Sequence, residues 1–193
     1  DHVVAQLRAA AAEGPAARAG QPTSAMTHAW LLTGPPGSGR STAALALAAA
    51  LVCPEQGCGV CAECTAVKHS AHVDVEHIVP ESVTYSVAET RELVRSSAMA
   101  PSRAPWHVFV LEDADRLNAE SANTLLKSIE EPTPGTVWIL CAPSTEDVLP
   151  TIRSRCRHLQ LATPSTAEVA EALTRSFGVD PAMASFAARA AQG

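Results

Sequence analysis

Apolar runs of two kinds alternate along this chain. The short ones are nearly continuous: Ala29-Trp30-Leu31-Leu32-Thr33, Val108-Phe109-Val110-Leu111 and Thr136-Val137-Trp138-Ile139-Leu140-Cys141. Runs of that length and purity fit strands buried on both faces of a parallel sheet. Val73 to Val79 alternates apolar and polar positions, a strand pattern, and His158-Leu159-Gln160-Leu161 supplies a fifth strand. Between the strands the period lengthens to that of helices. A helix is predicted over about 40–52, and another near 87–98, where Ser86 and Glu89 form a capping box. A third spans 119–130, capped by Asn118, with Ala122, Leu125, Leu126 and Ile129 as its stripe and Glu130-Glu131-Pro132 as its end. A short helix is expected near 145–153. At the front, 1–13 reads as a helix with Val3, Val4, Leu7 and Ala11 on one face, and 14–27 as a loop. After Pro164 the strands stop. Ser165 and Glu168 cap one helix, with Val169, Ala172 and Leu173 on a face and Gly178 ending it. Asp180-Pro181 opens another, whose inner side is read as Met183, Phe186, Ala187 and Ala190. The pattern predicts an α/β fold. A five-stranded parallel sheet with helices on both faces fills 1–162, and a partial helical domain follows over 163–193.

Composition narrows the function. Hydrophobic residues are 47% of the 193, enough for a sizeable core, and the formal net charge is −6. An acidic chain is a poor candidate for gripping duplex DNA unaided, because phosphate neutralisation drives that binding. Aromatics at 4% leave few platforms for stacking bases, which counts against a nucleic-acid-binding zinc ribbon. No apolar run of the roughly 18–20 residues needed to cross a bilayer occurs, so no membrane partner is expected. The chain opens at Asp1 without a signal-peptide pattern and is read as a fragment of a cytoplasmic protein.

Two stretches carry chemistry. Gly34-Pro35-Pro36-Gly37-Ser38-Gly39-Arg40-Ser41 joins the first strand to its helix and follows the phosphate-binding pattern G-x-x-x-x-G-K-[ST], except that Arg40 replaces the lysine. The strand at 108–111 ends in Glu112-Asp113, where the acids of a nucleotide site would hold Mg²⁺ and orient water. The second stretch is Cys53, Cys58, Cys61 and Cys64, spaced C-x4-C-x2-C-x2-C, with Gly57 and Gly59 allowing tight turns. Four thiolates suit tetrahedral zinc and leave no position open for water, so the Zn²⁺ is read as structural. Packed, reduced cysteines are the alternative. His69, His72 and His77 are read as surface or strand-end histidines.

Taken in order, GPPGSGRS, the four cysteines, VLEDADRLNAESANTLLKSIEEP and SRC resemble the bacterial clamp-loader subunits of the AAA+ superfamily, tau/gamma and delta prime of DNA polymerase III, over nearly the whole chain. The resemblance implies an AAA+ P-loop domain, a zinc-binding insertion and the start of a helical lid. It also implies partners: tau/gamma and delta subunits, with the sliding clamp and primed DNA reached through the complex.

Three departures favour the delta prime branch over an active tau/gamma-type ATPase. Arg40 is larger and planar where a compact lysine charge fits between phosphates. Asp113 shortens the side chain where the family's ATPases place a water-orienting glutamate. Ala142 and Pro143 stand where active members carry a threonine pair. The site of Gly34, Gly37, Gly39, Arg40, Ser41, Glu112 and Asp113 is therefore read as degenerate, expected to hydrolyse ATP little or not at all; residual binding of ATP and Mg²⁺ is left open. Arg155 of Ser154-Arg155-Cys156 is kept. The resemblance implies a finger reaching the ATP of an adjacent subunit, while the tripeptide alone also fits an arginine capping a helix C-terminus.

Overall fold

The three continuous apolar runs become strands because each has two faces to bury. In the computed structural model, which describes residues 2–191, β1 (Ala29–Thr33), β3 (His107–Leu111) and β4 (Thr136–Ala142) are buried along their full length. Successive residues feed opposite sides. Trp30, Leu32, Val108, Val110, Val137, Ile139 and Cys141 enter one apolar cluster. Ala29, Leu31, Phe109, Leu111, Trp138, Leu140 and Ala142 enter the other. β2 (Val75–Ile78) and β5 (Arg157–Gln160) are only partly buried and lie at the edges. All pairings are parallel, in the order β2-β3-β4-β1-β5.

Helices cover both faces. α1 (His2–Arg18), α2 (Arg40–Val52) and α3 (Ala62–Lys68) pack on the first cluster through Leu7, Ala10, Ala44, Leu47, Leu51 and Val67. α4 (Val87–Ser97), α5 (Ala119–Glu130) and α6 (Pro150–Arg153) pack on the second through Leu93, Ala122, Leu125, Ile129 and Ile152. The capping box of Ser86 and Glu89 forms, and Asn118 accepts from the amides of Glu120 and Ser121. The α/β sheet architecture read from the apolar pattern is thus the observed one.

Two helix boundaries and one helix face differ from the expectation. α1 continues to Arg18 rather than ending at 13, although Pro15 lies inside it. Gly14 sits buried against Leu51 and Trp106, and the Glu13 carboxylate accepts from the amides of Ala25 and Met26, so tertiary contacts outweigh the proline penalty. The helix expected near 145–153 shrinks to Pro150–Arg153, with Pro150 at its first turn. Val4 is exposed rather than on the inner face.

The chain divides into one unit through Leu161 and a second from Ala162. The second is a pair of helices, α7 (Thr166–Phe177) and α8 (Pro181–Ala190), capped as read by Ser165, Gly178 and Asp180. Its buried positions correct the expected face of α8: Ala184 and Ala188 are inside, while Met183 and Phe186 are exposed at 60% and 64%, and Ala187 and Ala190 are exposed too. Small residues let the two helix backbones approach, so they take the contact and the bulky side chains lie outside.

Candidate functional sites

Because every strand runs the same way, the segments after β1, β3 and β4 emerge at one edge of the sheet. There ligands of open α/β sheets bind. The glycine loop follows β1. A Cβ at Gly34 would lie 2.8 Å from the Leu161 carbonyl oxygen, so only glycine fits this close crossing. Gly39, immediately before α2, has φ 84°, a conformation glycine adopts without strain.

Arg40, at the first position of α2, folds back into the loop. Its Nη1 donates to the Gly34 carbonyl at 2.7 Å, and its Nη2 faces Asp113 Oδ1 at 3.4 Å. Ser41 donates from its hydroxyl to Glu112 Oε2 at 2.9 Å, and His77 Nε2 meets Glu112 Oε1 at 3.3 Å. Tyr85 donates to the Glu112 carbonyl at 2.6 Å. Asp113 is in the left-handed region, φ 47°, with its second oxygen 3.4 Å from Arg116 Nη2. Pro143 follows directly after β4. The structure therefore brings Gly34, Arg40, Ser41, Glu112 and Asp113 together. The serine and carboxylates that a nucleotide site offers to a cation are engaged with protein partners, two of them arginines.

The four cysteines form a second centre. Cys53 caps the C-terminus of α2, and Cys61 caps α3, its sulfur accepting from the Cys64 amide at 3.4 Å. All four sulfurs lie within 4.8 Å of one another, so the set could hold a metal ion. Cys53 Sγ is 3.8 Å from Cys58 Sγ and 3.7 Å from Cys61 Sγ. A tetrahedral ion with metal–sulfur bonds of about 2.3 Å separates its sulfurs by about 3.8 Å, so the spacing fits. Burial alone would push the Cys53 thiol up, but the amides of Cys58, Gly57 and Glu55 bring it down to about 6. Burial, with the neighbouring sulfurs, pushes Cys64 up to about 12.

Between Cys61 and Cys64, Glu63 ties this module to the segments that lead into β2 and β3. Its oxygens face His72 Nε2 at 2.9 Å and Arg103 Nη2 at 2.7 Å. His72 is 6% exposed, which corrects the reading of it as a surface residue. Its Nδ1 accepts from the Asp74 amide at 3.0 Å, while Nε2 lies beside Glu63 without the alignment of a hydrogen bond. His77 is a strand-end residue of β2, as read, and it engages Glu112. Neither pairing is visible in the sequence, since each joins residues of separate elements.

Arg155 lies elsewhere. It follows α6 and precedes β5, which puts it at the opposite edge of the sheet from the chain's own glycine loop. Its Nη1 donates to the Thr151 carbonyl at 2.7 Å, the capping contact the tripeptide allowed, and its Nη2 reaches Glu130 Oε1 at 3.0 Å. Cys156 packs against the second apolar cluster. A cavity of about 390 Å³ also opens away from the glycine loop, where Thr27, Trp106, Gly135 and Thr136 mark the starts of β1, β3 and β4.

Residues 18–165 match the family described as "DNA polymerase III, delta subunit". Among curated relatives, DNA polymerase III subunit delta' of Pseudomonas aeruginosa is 35% identical over 163 residues, covering 81% of this chain and 50% of the relative. Subunit gamma/tau of Mycobacterium tuberculosis is 33% identical over 138 residues, covering 69% of this chain and 24% of the relative. The chain thus spans half or less of the length of these relatives. Among solved structures, a gamma-subunit-related protein of Thermotoga maritima superposes with a TM-score of 0.59 at 23% identity, covering 76% of this chain and 44% of that one. A RuvB variant of the same organism gives 0.63 at 18% identity, covering 97% and 56%. At such identities the structural likeness speaks for the fold alone. The family match, which takes in more than half of the chain, decides the rest: the chain belongs to the DNA polymerase III delta-subunit family of AAA+ clamp-loader proteins.

Proposed function

We propose that this chain is a delta prime-type subunit of a DNA polymerase III clamp loader, with no ATPase cycle of its own. It assembles with tau/gamma and delta subunits and places Arg155 at the ATP of a neighbouring tau/gamma subunit. The complex then opens the sliding clamp and loads it on primed DNA. The observation that carries the reading is Arg40, which spans the Gly34 carbonyl and Asp113 and so supplies from within the chain a cation for the phosphate loop. A guanidinium tied at both ends is not the mobile ammonium that tracks β- and γ-phosphates. Zinc in the four cysteines is structural, since four thiolates complete its coordination.

Three measurements test this reading. The purified subunit is expected to show no steady-state ATP turnover above that of an Asp113→Ala control, and weak or no heat of binding with ATP and Mg²⁺. Tight binding with turnover would instead mark a tau/gamma-type motor. In the reconstituted complex, Arg155→Ala is expected to lower clamp-stimulated ATPase by at least about tenfold while assembly stays intact, given that arginine fingers contribute roughly 10³–10⁵ in rate elsewhere. Unchanged ATPase would remove Arg155 from the mechanism.

A further inference from the structure

We propose that Glu130 is the positioning residue for Arg155, an inference that rests on the trans role just given to that arginine. Glu130 is the last residue of α5, and an acidic side chain there opposes the helix dipole. Helix formation gives no reason to put a carboxylate at that end. Its observed engagement is with Arg155: Oε1 accepts from Nη2 at 3.0 Å.

The pair is preset by packing beneath it. Ile129, next to Glu130, and Ile152, three residues before Arg155, are both 0% exposed in the same apolar cluster. Neither backbone can shift without opening that cluster. On this fixed base the guanidinium is gripped by the Thr151 carbonyl at 2.7 Å and the Ser154 hydroxyl at 3.4 Å on Nη1, and by Glu130 at 3.0 Å on Nη2. Nε is buried without a partner, so the carbonyl and the carboxylate carry the orientation of the group. Both side chains keep an open side, 29% exposed for Arg155 and 53% for Glu130, toward which a phosphate of another subunit can approach. Holding the guanidinium in one place removes part of the ordering cost of engaging that phosphate. Glu130 touches no reacting atom in this account. It acts through Arg155.

The experiment uses the reconstituted complex and separates chemistry from binding. Glu130→Gln keeps the size and an acceptor oxygen but loses the charge. It is expected to lower clamp-stimulated kcat by roughly two- to fivefold, the size expected for a partly exposed pair, with the KM for ATP unchanged. Glu130→Asp, which keeps the charge, restores most of the loss. In an Arg155→Ala background, Glu130→Gln causes no further loss. If Arg155→Ala lowers the rate but Glu130→Gln does not, or raises it, the positioning role is overturned and the finger stands. An equal loss with and without Arg155 also overturns it, since Glu130 would then act on something else. If Arg155→Ala itself has no effect, both readings fall, in a pattern distinct from the others. Unfolding of the isolated variants by heat checks that the fold is intact.

Discussion

At the scale of single residues, the groups that set this molecule's behaviour are those with partners in distant elements. Asp74 is the clearest. It is 2% exposed, and its carboxylate accepts from the amides of Ser102, Arg103 and Ala104 at 2.6–2.7 Å and from the Ser102 hydroxyl at 3.0 Å. Burial would raise its pKa, but those amides outweigh burial and hold it below the usual carboxylate range. A depressed carboxylate contributes stability above its unfolded value of about 3.9 and loses it as pH falls through the lower folded value. Asp74→Ala is expected to cost about 2–4 kcal/mol at neutral pH, because buried amides are left without acceptors. Urea titration at pH 7 and between pH 2 and 4 checks this: the variant should be less stable at pH 7, and the gap should narrow in acid. A constant gap would mean that the lost contacts are not charge-dependent. The glycine loop and the four cysteines were legible in the sequence because their spacing is local. Glu63 with His72, His77 with Glu112 and Glu130 with Arg155 were not, because each pair is made by the fold.

At the scale of elements, α2 and α3 are joined by the cysteine module, and Glu63 passes its position to His72 and Arg103. Removing a metal ion bound by the four cysteines should therefore loosen Cys53–Lys68 and leave the sheet standing. Elemental analysis is expected to give about one zinc per chain. Chelation should then speed amide exchange and proteolysis in that segment, with little change over β3 and β4. Loss of protection across the sheet as well would mean that the module is part of the core rather than an attachment to it. The strands were readable because a strand buried on both faces is a continuous apolar run. The extent of α1 was not, because Pro15 argues for a stop and only the seating of Gly14 and Glu13 overrules it. The inner face of α8 misled for a related reason. Bulky apolar residues usually mark the buried side, yet here close helix packing is served by Ala184 and Ala188.

At the scale of the whole molecule, charge decides what the chain does alone. A net −6 works against a phosphate backbone. The isolated chain is expected to show no measurable affinity for primed DNA at about 0.15 M salt, tested by fluorescence anisotropy; binding that weakens steeply with salt would restore a direct DNA role. The sequence by itself determined the fold class, the phosphate-loop pattern, the cysteine set and the identities of Arg40, Asp113 and Pro143, since these are carried by contiguous residues and short periods. Only the tertiary structure decided the strand order β2-β3-β4-β1-β5, and with it that Gly34, Glu112 and Pro143 share one edge while Arg155 lies at the other. It also decided that Arg40 turns onto Gly34 and Asp113 and that Arg155 rests on Glu130. A side chain's partner depends on which strands and helices lie beside it, and local patterning does not encode that choice. It follows from how the two apolar faces of one sheet are covered.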